Sequence, residues 1–212
     1  MKKILLIICL GLALTGCTNV KKMNYNEILA TFNNKALKSN VYRRGYKYHL
    51  PRGMVIEDNI SSNDVISDVN NKYYLFVDLI SYDKKITKDI AFSDDAIYKE
   101  NIHKGSKFGY VQIKKMENNK YLIEIMYNYA KIEVIVDKKD INESLVYSIE
   151  ILNSIIFNDD IISNLLAKDQ LGGVEEEINI FNTTSSDSTY IKIDDTYQDV
   201  EDDDEIDTDL IK

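Results

Sequence analysis

Residues Gly109–Asp137 read GYVQIKKMENNKYLIEIMYNYAKIEVIVD. Three apolar-rich runs stand out in this stretch, Gly109–Lys115, Tyr121–Tyr127 and Lys131–Asp137. They favour β-branched and aromatic residues, the types that fit a pleated, half-buried surface. Glu117-Asn118-Asn119-Lys120 separates the first pair and Asn128-Tyr129-Ala130 the second. Asparagine suits such turns because it tolerates a left-handed backbone. Connections this short enforce antiparallel pairing, since a parallel crossover needs about a dozen residues or more. The stretch predicts a three-strand meander.

Beyond the meander, Ile141, Leu145, Ile149, Leu152 and Ile156 recur at helical spacing with Val146 and Ile155 beside them, the strongest amphipathic helix in the chain. Asp140 and Glu143 have capping-box spacing at its start. A shorter helical turn is expected over Ile161–Ala167. Upstream, Asn24–Leu37 reads as a helix with Tyr25, Leu29, Phe32 and Ala36 on one face, opened by a second capping box, Asn24 with Glu27. Tyr46, Tyr48 and Leu50 alternate with Lys47 and His49 as in a half-buried strand, closed by the turn Pro51-Arg52-Gly53. Tyr73–Ile80 is nearly apolar throughout, as a central strand would be. Ser81–Lys107 is polar and broken, with a short strand expected at Ala96–Lys99. Helix, strands, meander and long helix make an α+β class: an antiparallel β-sheet flanked by an N-terminal helix and a long amphipathic C-terminal helix.

Two short segments carry a family resemblance. Tyr46-Lys47-Tyr48-His49-Leu50-Pro51-Arg52-Gly53-Met54 resembles the opening strand and Pro-x-Gly turn of the PsbP-like and DcrB-like α/β/α sandwich family of extracytoplasmic proteins. Ile151-Leu152-Asn153-Ser154-Ile155-Ile156-Phe157 resembles the end of that family's closing helix. Together they bracket about 110 residues. Tryptophan often follows the glycine in that family, where this chain has Met54. The resemblance implies an α/β/α sandwich. The family is functionally diverse and mostly non-catalytic, so no active-site residue carries over.

At the start of the chain, Lys2-Lys3 precedes the apolar run Ile4–Ala13, which leads into Leu14-Thr15-Gly16-Cys17. A basic start, an apolar core and small residues before a cut form a secretory signal. The tetrapeptide is similar to the lipobox of bacterial lipoproteins. That resemblance implies diacylglyceryl transfer to the Cys17 sulfur, cleavage between Gly16 and Cys17, and a lipid-anchored protein on the extracytoplasmic face of the cell membrane. The alternatives are an uncleaved transmembrane helix, for which the run is about half the ~20 residues needed, and cleavage without lipid. The expected organisation is a signal at 1–16, a lipidated tether at 17–23, an α+β domain at 24–171 and an acidic tail at 172–212.

Charge divides the chain in the same way. Val174–Lys212 holds fourteen acidic residues and two lysines, a net −12, within a total of −9. With Lys2 and Lys3 set aside, the body from Cys17 to Gly173 carries +1. Such a tail, opened by Gly172-Gly173, is expected to be disordered. It disfavours nucleic acid and anionic lipid and favours a basic protein partner. Its run Glu201–Asp209 offers hard oxygen ligands but lacks the glycine and spacing of a calcium loop. Tyr190-Ile191-Lys192-Ile193 alternates and could extend a sheet edge.

Cys9 falls within the signal, which leaves Cys17 as the single cysteine of the mature chain. Disulfides and thiol chemistry are thereby excluded. His49 and His103 lie in no metal-ligand spacing, and no nucleophile-elbow or phosphate-loop motif is present. Asp94-Asp95 and Asp159-Asp160 read as turn and cap residues. No cofactor, metal or catalytic residue is expected. Tyr42, Arg43, Arg44 and Tyr46 form the compact basic-aromatic cluster, a possible ligand or partner contact whose bland reading is a solvated turn. The composite expectation is a non-catalytic binding or adaptor domain on a lipid anchor. The alternatives are a small-ligand receptor component and a hydrolase with dispersed residues.

Overall fold

The computed structural model describes residues 20–33, 37–60, 63–86 and 90–168. The chain divides into two units, Met1–Ile180 and Phe181–Lys212, the second lying outside the described residues. The residues expected to form a signal, 1–16, Cys17, and the acidic segment from Gly172 onward also lie outside the described residues.

The protein is α+β with antiparallel sheets. In chain order the elements are α1 (Tyr25–Leu29), β1 (Val41–Arg43), β2 (Tyr46–Tyr48), β3 (Val55–Ile60), β4 (Asn63–Ser67), β5 (Lys72–Val77), α2 (Leu79–Lys84), β6 (Ala96–Lys104), β7 (Lys107–Lys115), β8 (Lys120–Tyr127), β9 (Ala130–Asp137), α3 (Ile141–Asn153), β10 (Ile156–Phe157) and α4 (Asp159–Ala167). Seven strands form one sheet in the order β3-β4-β5-β9-β8-β7-β6, and β1-β2-β10 form a smaller one. The expected meander is β7-β8-β9, in register from Gly109↔Tyr127 to Lys115↔Tyr121 and from Tyr127↔Ala130 to Lys120↔Asp137. Asn118, Asn119, Asn128 and Tyr129 all have positive φ in its two turns, the geometry that lets a tight turn follow the strand twist.

Alternation sorts the large sheet into two faces. On the first, Tyr73, Leu75 and Val77 line up with Val134, Ile132 and Ala130, then with Ile123, Ile125 and Tyr127. All are buried. Three coverings share this face. Helix α3 lies on β8 and β9, inserting Ile141, Leu145, Ile149 and Leu152. The N-terminal helical run covers the β7–β8 side, where the Phe32 ring meets Tyr127 at 4.8 Å. The small sheet covers β4, reached by the Tyr48 hydroxyl, which donates to Asp64 at 2.6 Å. Burial of so many aliphatic side chains, each contributing about 1.5–3 kcal/mol, holds these pieces together, and the described residues contain no cysteine.

Several expectations need correction. Over the described residues the N-terminal helix is α at Tyr25–Leu29 and continues as a 3₁₀ turn over Ala30–Asn33; the part of the expected helix that includes Ala36 lies outside the described residues. The change of pitch turns Ile28 and Phe32 inward and leaves Tyr25 and Leu29 half-buried. Its capping box forms as expected, with Glu27 N–H donating to Asn24 Oδ1 and Asn24 N–H to Glu27 Oε2. The capping box at Asp140 does not form. A 3₁₀ turn, Lys138–Asp140, leads into α3, and the Asp140 side chain makes no capping bond. Helix α3 stops at Asn153, and Ile156 pairs with Lys47 of the small sheet. Strand β5 ends at Val77 because the Asp78 carboxylate accepts from Ser81 N–H and starts α2. Strand β6 runs to Lys104 rather than Lys99.

Candidate functional site

The second face of the large sheet is of a different chemistry. Its rows run Phe76-Lys131-Met126 and Tyr74-Glu133-Glu124-Gln112 across β5, β9, β8 and β7. Lys131 and Glu133 lie two residues apart on β9, hence on one face, and form a buried ion pair at 2.9 Å. Gln112 donates to Glu124 at 3.0 Å, and Tyr110 donates to the same carboxylate. The segment before β6 lies over this face. Ser93 N–H donates to Gln112 Oε1 at 3.0 Å, and the Phe92 ring meets Tyr110 edge-on. Charged side chains in the middle of a sheet weaken it unless they are satisfied; the Lys131–Glu133 pair and the Glu124 bonds offset part of that cost.

At one end of this face opens a cleft lined by Phe76, Phe108, Met126 and Tyr129, with Lys131 at its floor and Asp78, Ser81 and Ile86 along its wall. Its empty space is ≈ 390 Å³, counting the solvent at the mouth. The four large apolar liners are each half-buried. Tyr129 holds φ 66° in the β8–β9 turn, a conformation uncommon for a bulky residue. The fold secures it on both sides: Asp78 N–H donates to Tyr129 O at 2.8 Å, and Asn128 N–H donates to Phe108 O at 2.9 Å. Its ring meets Phe108 and Tyr82 edge-on, at 5.6 and 5.7 Å. Tyr82 in turn stacks on Phe157 at 3.8 Å and carries the Lys85 ammonium on its ring. Burial, then the hydrogen bond to Asp159, pushes the Tyr82 hydroxyl up to about 12.

The basic-aromatic cluster singled out in the sequence is divided by the β1–β2 hairpin. Tyr42 points outward and is 68% exposed, and Arg44 is also exposed. Tyr46 is buried, its ring 6.2 Å from Tyr48. Arg43 turns toward Asp64. Its Nε lies 3.0 and 3.1 Å from the two carboxylate oxygens and its Nη2 2.9 Å from Oδ1. Tyr48 and Asn59 also donate to Asp64, each at 2.6 Å. Burial works against the Arg43 charge, but Asp64 outweighs it and raises the Arg43 pKa. Arg43 and Tyr48 therefore tie the small sheet to β4, Tyr46 is buried beside Tyr48, and Tyr42 and Arg44 remain accessible.

His49 is held at Nδ1 against Lys38 O, and His103 is exposed on β6. Among the described residues, no group of three His, Cys, Asp or Glu is placed to hold a metal ion. No described helix is long and apolar enough to cross a membrane. The cleft was not legible in the sequence. Its liners come from three separate stretches of the chain; Met126 reads there simply as a strand residue, and Phe108 falls just ahead of the strand expected from Gly109. The asparagine turn at Asn128-Tyr129 was the one local signal. Comparison with protein families, curated proteins and solved structures finds no match for this chain.

Proposed function

We propose that the chain is a lipid-anchored extracytoplasmic protein whose α+β body is a non-catalytic binding or adaptor module, with the cleft on the second sheet face as its contact surface. The observation that carries the reading is that cleft. Phe76, Phe108, Met126 and Tyr129 converge half-buried around it, and aromatic and methionine side chains are the ones enriched at contact surfaces. Its two ionisable liners are committed to structure, Asp78 to the start of α2 and Lys131 to Glu133. The groups it offers a partner are therefore apolar and aromatic. A PsbP-like α/β/α sandwich is the finer fold reading. It needs a further layer against the second face, the face on which this proposal seats the partner.

Anchoring rests on Leu14-Thr15-Gly16-Cys17 following a basic and apolar leader. Two acyl chains give stable attachment where one gives only marginal binding. The tail's net −12 favours a basic partner or a basic rim around the contact.

A photo-crosslinking amino acid at Phe108 or Met126, compared with one at the equally half-buried Glu150 on α3, tests the contact surface in intact cells. A discrete adduct from the cleft positions and none from the α3 position is expected. Equal or absent crosslinking from the cleft would remove it as the contact surface. Acyl labelling of wild type but not of Cys17→Ser tests the anchor separately.

A further inference from the structure

From the way the N-terminal segment is seated, we infer that the end of the large sheet bearing the β4–β5 and β7–β8 turns rests on the anionic surface of the membrane, with Lys21, Lys22, Lys138, Lys139 and Val69 as the contacting residues. This rests on the lipid-anchor reading of Cys17. Residues 20–23, counted with the tether in the sequence, are packed onto the body. Val20–Lys22 form a 3₁₀ turn closed by Met23 N–H to Val20 O. The Asn142 side-chain amide, in the first turn of α3, donates to Val20 O at 2.9 Å and to Met23 O at 2.8 Å. Three Cα–Cα steps separate Val20 from Cys17, a reach of about 11 Å at most. A lipidated Cys17 therefore holds the start of α3 close to the headgroups.

What gathers at that end fits the surface it must meet. Lys21 and Lys22 are exposed on the seated turn, and Lys138 and Lys139 are exposed just before α3. Of the acidic groups beside them, Asp137 is paired with Lys120 at 2.9 Å. Asp140 and Glu143, which keeps its charge while accepting from Tyr147, stand against the four lysines, and Glu117 is exposed in the β7–β8 turn. On the other flank of α3 stands the β4–β5 turn, tied to it through Tyr73, whose hydroxyl meets Ser144 Oγ at 2.9 Å and donates to Asp68 at 2.6 Å. The tip of that turn is Val69, 94% exposed. Lysines near the headgroups and an apolar tip are the pair of features that hold a protein face to an anionic interface. The tail's net −12 opposes approach of the chain as a whole, so contact depends on these local groups. The cleft lies at the other end of the strands. Seven steps along β8 from Lys120 to Tyr127 place it about 24 Å farther from the membrane.

The test uses the full mature lipoprotein in vesicles of equimolar phosphatidylcholine and phosphatidylglycerol. Cys17 is the single cysteine left after the signal and its sulfur is blocked by lipid, so Val69→Cys or Ser106→Cys gives one labelling site. Ser106 sits in the β6–β7 turn at the far end of the sheet, beside Lys104 and Lys107, a rival basic end. The expected result is loss of most label fluorescence at position 69 to a headgroup-attached quencher and little loss at 106. That loss should fall several-fold when Lys21, Lys22, Lys138 and Lys139 are changed to Gln together. Equal quenching at both sites, or stronger quenching at 106, overturns the orientation. Quenching at 69 that ignores the four substitutions overturns the assignment of the lysines. Absence of acyl label on wild type ends the anchor reading, and this proposal with it, while label with no preference between 69 and 106 ends this proposal alone.

Discussion

Asp64→Ala is the sharpest test of how the two sheets are joined. The Asp64 side chain is 0% exposed and accepts from Arg43, Tyr48 and Asn59. Its removal strands three donors at once. Breaking a buried ion pair by deleting one partner costs about 3–5 kcal/mol. The Arg43 side chain is 22% exposed and recovers some hydration, which moves the expectation to the lower part of that range. Tyr48 is fully buried, and its orphaned hydroxyl adds about 1–3 kcal/mol. We expect a net loss of about 3–4 kcal/mol. Tyr48→Phe leaves Asp64 with its other donors and should cost about 1 kcal/mol. The assay is urea unfolding followed by far-UV circular dichroism and by tyrosine fluorescence, since the chain has fifteen tyrosines and no tryptophan. A double-mutant cycle with Arg43→Ala isolates the pair, with a coupling of about 2 kcal/mol expected. A loss under about 1 kcal/mol for Asp64→Ala, or additive single variants, would refute the idea that this cluster joins the sheets.

Two further predictions follow from side-chain geometry and titration. A Cβ on Gly109 would run into the Met126 carbonyl oxygen and lie 2.9 Å from Tyr127 Cα, both backbone atoms. Gly109→Ala should therefore cost about 3 kcal/mol or more, read as a lower urea midpoint at unchanged slope, and a near-neutral result would mean that β7 and β8 separate easily. Burial first, then hydrogen bonds to Asp64 and Asp68, raise the Tyr48 and Tyr73 hydroxyls well above the ordinary value, and Tyr82 reaches about 12. Because the folded state holds these protons while the unfolded chain releases them from about pH 10, this stability is complete below pH 10. It falls as pH rises, by up to about 1.4 kcal/mol per unit for each of Tyr48 and Tyr73. Absorbance at the phenolate band during alkaline titration should show late-ionising tyrosines released together with unfolding, and release at ordinary pH in the folded state would contradict it.

The sequence was most readable where local and global demands agree. The meander and α3 satisfy turn chemistry, periodicity and burial together, so both could be placed from residue order. It was least readable where distant groups decide. Strands β3 and β4 went unnoticed because Glu57, Asp58, Asn59, Asn63 and Asp64 are poor strand formers. They pair because Asp64 satisfies Arg43 and Tyr48 from the small sheet and Asn59 on β3 itself. Arg43 illustrates the same limit at a candidate site: beside exposed Tyr42 and Arg44 it reads as a surface cation, and only folding sets it against Asp64. Ile156 follows the helical period yet leaves the helix, because pairing with Lys47 closes the small sheet. The cleft is a product of topology, since it appears only when the end of β5, the start of β7 and the β8–β9 turn come to one corner.

The seating of Val20–Met23 against Asn142 also has a mechanical side. In the proposed orientation the anchor grips the protein at one end of the long strands, and a partner in the cleft grips it at the other. Tension between them runs along β5, β8 and β9, parallel to the chain direction. The ladder bonds lie across that direction, so they are strained together in shear and must yield in concert, whereas a pull at right angles would peel them one at a time. A module placed between a membrane and a moving partner would in this way resist being drawn apart while remaining only marginally stable at rest.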